Sequence, residues 1–124
     1  MKKPAPKGFF RKEVIEPALD EETERHILEQ QAAIEADPVA AKPHHNLGAL
    51  YRLQGKTAQA EEQFRKALSL DPNSVESHVE LGQMCVVRED YQAAWLHAKE
   101  AARLGDSQLL KLLERYPGIT RPAP

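Results

Sequence analysis

At 124 residues the chain has room for one compact domain and none for a separate catalytic domain of ordinary size. Hydrophobic residues make up 41% and charged residues 29%, enough for a core under a polar surface, and the net charge of -2 offers no field for nucleic acid or an anionic membrane. Cys85 is the single cysteine, which excludes an intrachain disulfide and a zinc site built on cysteines.

The chain opens on a basic stretch, Met1 to Lys7, followed by Gly8, Phe9, Phe10, Arg11 and Lys12. This lacks the apolar run of about 7–15 residues that a secretion signal needs. Residues 1–19 read as a flexible leading segment, because Pro17 ends any helical turn begun by Phe10 and Val14. No apolar run of about 18 residues is present to span a bilayer. With the lone cysteine, these features predict a cytoplasmic protein that makes no membrane contact.

Asp20 is the expected N-cap of a helix reaching Ala36, with Glu21, Glu22 and Glu24 near its positive end. Residues 20–38 then form a capping half repeat, since Ala33, Asp37 and Pro38 stand 34 residues before Ala67, Asp71 and Pro72. The next two segments, 41–74 and 75–108, align with each other without a gap. His44, Leu47, Gly48, Ala60, Ala67 and Leu70 recur as His78, Leu81, Gly82, Ala94, Ala101 and Leu104.

Each unit reads as two helices. In the first, Leu47, Leu50 and Tyr51 mark a helix stopped by Gly55, and Ala60, Phe64, Ala67 and Leu68 mark a second, stopped by Asp71-Pro72-Asn73. In the second, Val79, Leu81, Met84, Cys85 and Val86 precede Tyr91, Ala94, Trp95, Ala98, Ala101 and Ala102. After Gly105, Asp106 or Ser107 is expected to cap a final helix over 107–116 whose apolar side is Leu109, Leu110, Leu112, Leu113 and Tyr116. Residues 117–124, with Pro117, Pro122 and Pro124, read as a flexible or extended tail. No segment alternates with period two, so no sheet is expected.

The first unit resembles a tetratricopeptide repeat. Leu47, Gly48, Tyr51, Ala60, Phe64 and Pro72 meet six of the seven signature positions, and His44 replaces the usual Trp. The second unit keeps Leu81, Gly82 and Ala94 but has His78, Cys85, Ala98 and Asp106 at the other four. The resemblance implies an all-α, short right-handed solenoid of antiparallel helix pairs with a capping helix at each end. Gly48 and Ala60 are the small residues that let paired helices approach while Tyr51 and Phe64 fill the space beside them. The aromatic volume missing at Cys85 and Ala98 is expected to be partly restored by Tyr91 and Trp95.

The same resemblance implies a peptide-binding groove along the first helices. The matching positions are Lys42, His45, Ala49, Arg52 and Leu53 in unit one, and Glu76, Val79, Gln83, Val86 and Val87 in unit two. This set is mildly basic at one end and apolar at the other, which suits a partner with a hydrophobic stripe. The alternative is that Val79, Val86 and Val87 contact the final helix or the N-terminal segment. Asn46 matches the clamp with which some tetratricopeptide domains grip a C-terminal carboxylate. His45, Ala49 and Glu80 depart from that clamp, and Glu80 would repel the carboxylate.

Catalytic readings find little support. None of the five histidines has a partner histidine three or four residues away, as a helical metal pair requires. Cys85 falls at a core position with no histidine one turn away, and no phosphate loop or nucleophile elbow is present. The expectation is a protein-binding adaptor or scaffold with no cofactor, no metal and no enzymatic activity. A self-associating module that forms a homodimer is the alternative.

Overall fold

The computed structural model describes residues 7–116, with side chains from residue 20 onward. The expected tail at 117–124 and residues 1–6 lie outside the described residues. Six helices follow one another among those described: α1 (Lys7–Ala36), α2 (Ala41–Leu53), α3 (Thr57–Leu70), α4 (Val75–Val87), α5 (Tyr91–Arg103) and α6 (Gln108–Arg115). Helices α2 and α3 form the first unit, α4 and α5 the second, and α1 and α6 pack at the two ends. The fold is the all-α, tetratricopeptide-type helical repeat, with no strand among the described residues.

The start of α1 corrects one expectation. The helix begins at Lys7 and runs for 30 residues, so Asp20 lies inside it and is not an N-cap. Pro17 removes one backbone hydrogen bond but does not end the helix, because the flanking Glu13, Val14, Ile15, Glu16, Ala18 and Leu19 include no glycine to break it. Residue 20 is therefore not a secondary-structure boundary. Downstream, Ile27 and Thr23 are buried against the first unit, and Asn46 Nδ2 donates to Gln30 Oε1 across 3.3 Å.

Close approach of paired helices organises both units, in two different ways. A Cβ on Gly48 would stand 2.8 Å from Phe64 Cε1 and 3.1 Å from the Ala60 carbonyl oxygen, so α2 lies directly on α3. In the second unit the Phe64 position is Ala98, and the space is filled from outside the repeat. A Cβ on Gly82 would stand 2.5 Å from Leu109 Cδ2. Leu109 and Leu113 of α6 join Cys85, Ala94, Trp95 and Ala98 in one buried cluster, with Tyr91 against it. Trp95 restores aromatic volume as expected, and α6 completes the unit.

The first helix of each unit and the helix α5 close with a matched C-terminal turn. Lys56 N–H donates to Tyr51 O over 2.9 Å, Asp90 N–H to Cys85 O over 2.9 Å, and Asp106 N–H to Ala101 O over 2.8 Å. This six-to-one bond requires a left-handed residue just past the helix. Gly55 and Gly105 supply it at φ 78° and 113°, whereas Glu89 adopts φ 63° despite its side chain. That conformation costs an L-residue about 1–2 kcal/mol.

Two stability effects follow. Gly48→Leu should lose at least about 1–3 kcal/mol through overpacking against Phe64, read as a collapse of the thermal transition in circular dichroism. An unchanged melting temperature would mean that α2 and α3 do not meet there. Glu89→Gly should instead raise stability by about 1 kcal/mol in denaturant titration, because glycine takes the left-handed turn without steric cost; a loss of stability would contradict the turn assignment.

Candidate partner-binding groove

The face built by α2, α4 and the turn into α6 is concave. A hollow of about 570 Å³ on it is lined by His45 of α2, by Val75, Glu76, Val79, Glu80 and Gln83 of α4, and by Asp106. Val79, Gln83 and Asp106 also line a hollow of about 280 Å³ that ends on Leu109 and Leu112 of α6. The two adjoin at these shared residues. A third hollow of about 400 Å³ lies between α1 and α2, where His26 and Gln30 face Asn46, Ala49, Leu50 and Leu53.

The heptad-like register of α4 explains the arrangement. Leu81, Met84 and Cys85 take the buried side of the helix, so Glu76, Val79 and Gln83, one turn apart, share another side. Of the ten residues expected in the groove, His45, Glu76, Val79 and Gln83 line its main hollow, while Ala49 and Leu53 line the α1–α2 hollow. Lys42 is exposed and lines none of the three. Val86 is half-buried against the cluster of Cys85, Trp95, Leu109 and Leu113, on a different side of α4. Val87 is 81% exposed and Leu53 59%, at matched positions of the two units. The residues lining the two adjoining hollows that were not in the expected set are Val75, Glu80, Asp106, Gln108, Leu109 and Leu112. The last four come from the capping turn and α6, beyond the first-helix positions of either unit.

Polar ties cross the groove floor. Arg52 Nη1 pairs with Glu80 and donates to Gln83 Oε1 at 3.1 Å, joining α2 to α4. Ser74 Oγ donates to Ser77 Oγ over 2.9 Å, and Ser77, fully buried, lies 3.2 Å from His45 Nδ1. Burial of the His45 imidazole lowers its pKa from the ordinary value; Glu76 and Glu80 oppose that shift and Lys42 adds to it. The expected basic end is therefore changed in character: Arg52 is committed to Glu80, and Glu80 and Asp106 add carboxylates to the walls.

A second pair of polar contacts repeats with the helices. His44 Nδ1–H donates to Gln63 Oε1 over 2.8 Å in the first unit. The matching residues of the second, His78 and His97, have their Nδ1 atoms 3.2 Å apart. His78 Nε2–H donates to the Pro72 carbonyl over 3.1 Å, so His78 Nδ1 accepts and His97 Nδ1–H donates. Both rings cannot protonate without placing two N–H groups against each other. Burial lowers the His97 pKa, with His78 and Arg65 adding to the effect and Glu61 opposing it. Cys85 is buried, its thiol pKa raised by that burial. Among the described residues no group of three or more His, Cys, Asp and Glu is placed to hold a metal ion.

The family model described as tetratricopeptide repeat matches residues 41–74, which comprise α2, α3 and the turn that follows. Residues 41–74 are thus a tetratricopeptide repeat, and 75–108 forms the same helix pair beside it. None of the curated proteins matches the chain. Repeats of this family generally mediate protein–protein interaction, and the all-helical fold is typically non-catalytic. Among the described residues no helix is long and apolar enough to cross a membrane.

The histidine pair has a measurable consequence. A folded-state pKa depressed below the unfolded 6.5 means that the unfolded chain binds the proton first, so this contribution is complete above pH 6.5 and is lost as pH falls through the folded value. His97→Gln places in the second unit the residue that Gln63 provides in the first. Melting temperatures between pH 7.5 and 5 should fall less steeply for this variant than for the parent. Parallel curves would show that His97 is not the source of the pH dependence, and His45, common to both proteins, cancels in the comparison.

Proposed function

We propose that the protein is an adaptor that holds a segment of a partner protein in the groove formed by α2, α4 and the start of α6. The observation that carries this reading is the pair of adjoining hollows whose walls combine Val75, Val79, Leu109 and Leu112 with Glu76, Gln83 and Asp106. A concave site with apolar walls and a few polar groups suits a peptide or helix presented by another chain. An enzymatic reading has no comparable support, since the hydroxyl that meets His45 Nδ1 belongs to Ser77, which is fully buried and does not line the groove. A cytoplasmic setting agrees with the lone buried cysteine. Homodimerisation is the second reading, favoured by the exposed Leu53 and Val87 at matched places on successive units.

Photo-crosslinking from position 83 tests both. Gln83 is exposed and lines the groove, while Lys99 on α5 is exposed and lines none of its hollows. A benzophenone side chain at 83 should give discrete heteromeric adducts in host lysate that disappear when Val79→Glu is added, with circular dichroism unchanged. The same side chain at 99 should not give them. Identical adducts from both positions, or none from 83, would overturn the adaptor reading; adducts of the chain with itself would move the assignment to the homodimer. Val86→Glu is unsuitable as a second groove variant, because it buries a carboxylate in the α4–α5–α6 core.

A further inference from the structure

We infer that the segment held in this groove is basic, with Lys or Arg set beside Leu, Ile or Val. The inference rests on the adaptor reading and names the chemistry of its partner. Three carboxylates, Glu76, Glu80 and Asp106, belong to the walls of the main hollow, and no lysine or arginine does. Arg52 neutralises Glu80 from the side. Among the described residues no cation pairs with Glu76 or Asp106: Glu76 accepts from Ser74 Oγ at 3.4 Å, and Asp106 Oδ1 accepts from Gln108 N–H at 3.1 Å. His45, the histidine in the lining set, has its pKa lowered by burial, with Lys42 adding to that shift and Glu76 and Glu80 opposing it. Lys42 is exposed and lies outside the lining set.

Glu76 and Asp106 thus remain as uncompensated acceptors on two walls, one at the first turn of α4 and one at the entry to α6. Val75 and Val79 lie among the same lining residues, and the adjoining hollow reaches Leu109 and Leu112. A ligand that matches this surface presents cations to the carboxylates and a branched apolar side chain to the hollow on α6. An acidic or phosphorylated segment meets like charge without a free cation to receive it, so it is rejected by repulsion as well as by lack of contacts. The Lys or Arg stem adds apolar cover over Val75 and Val79 while its head reaches the carboxylate.

Panning of the full chain against displayed random peptides of about twelve residues is the direct test. The selected peptides should be enriched in Lys or Arg next to Leu, Ile or Val. A synthetic copy of the enriched sequence should bind in fluorescence polarisation and weaken as salt is raised. Glu76→Gln with Asp106→Asn should reduce that affinity by about tenfold or more while the thermal melt stays within error of the parent, since asparagine retains the acceptor for Gln108 N–H. Enrichment of acidic or uncharged peptides, an absence of enrichment, or an affinity unchanged in the double variant would overturn the inference. The failures are separable. Partner adducts at position 83 together with acidic or neutral selected peptides would retain the adaptor and remove its basic ligand, whereas loss of the adducts removes the adaptor itself.

Discussion

The contact at Gly48 and Gly82 sets the geometry on which the rest of the structure depends. At both places the first helix of a unit presents a bare backbone, and a single added carbon would overlap the neighbour's side chain, Phe64 in one case and Leu109 in the other. Interiors packed at crystal-like density allow no slack for that carbon. With α2 held on α3 and α4 held on α5 and α6, the first helices of the two units meet through His45–Ser77 and Arg52–Glu80, and residues of both helices line the groove.

The two glycines perform the same task with different partners, and the difference explains why α6 is integral. In the first unit an aromatic side chain from the unit's own second helix fills the gap. In the second, Ala98 leaves it empty, and Leu109 enters from the capping helix while Trp95 occupies the other side of the cluster. The same substitution of external for internal packing sets α6 against α4, where Leu112 and Asp106 become walls of the groove. An array end that would otherwise be only a cap is thereby also part of the candidate site.

Polar groups adjust this surface more than they hold it together. An ion pair such as Arg52–Glu80, with both side chains partly exposed, is worth at most about 1 kcal/mol after solvent screening. It also engages the Arg52 guanidinium at Glu80, whereas Glu76 and Asp106 in the walls of the hollow have no cation paired with them among the described residues. The His78–His97 contact is similar in kind: it replaces the neutral His44–Gln63 contact of the first unit with one that depends on proton occupancy.

From residue spacing alone the helical class, the two-unit repeat and the helix ends at Gly55, Asp71 and Gly105 were legible, because helix periodicity, glycine at a left-handed turn and small residues at a helix crossing act locally or at a fixed repeat distance. The end of α4 carried no such mark, since Glu89 takes the left-handed position where the other turns have glycine. The start of α1 was not legible: a proline biases a helix against continuing but does not decide the outcome by itself. Nor could spacing distinguish Val79, which lines the groove, from Val86, which enters the core, because that depends on where α5 and α6 press against α4. Only the tertiary structure settled the composition of the groove, as its walls include Asp106 and Leu112, beyond the repeat's first-helix positions, and its charge depends on Arg52 meeting Glu80 from 28 residues away. Local pattern determines which elements form, whereas the side chains that share a surface are chosen by packing between elements distant in the chain.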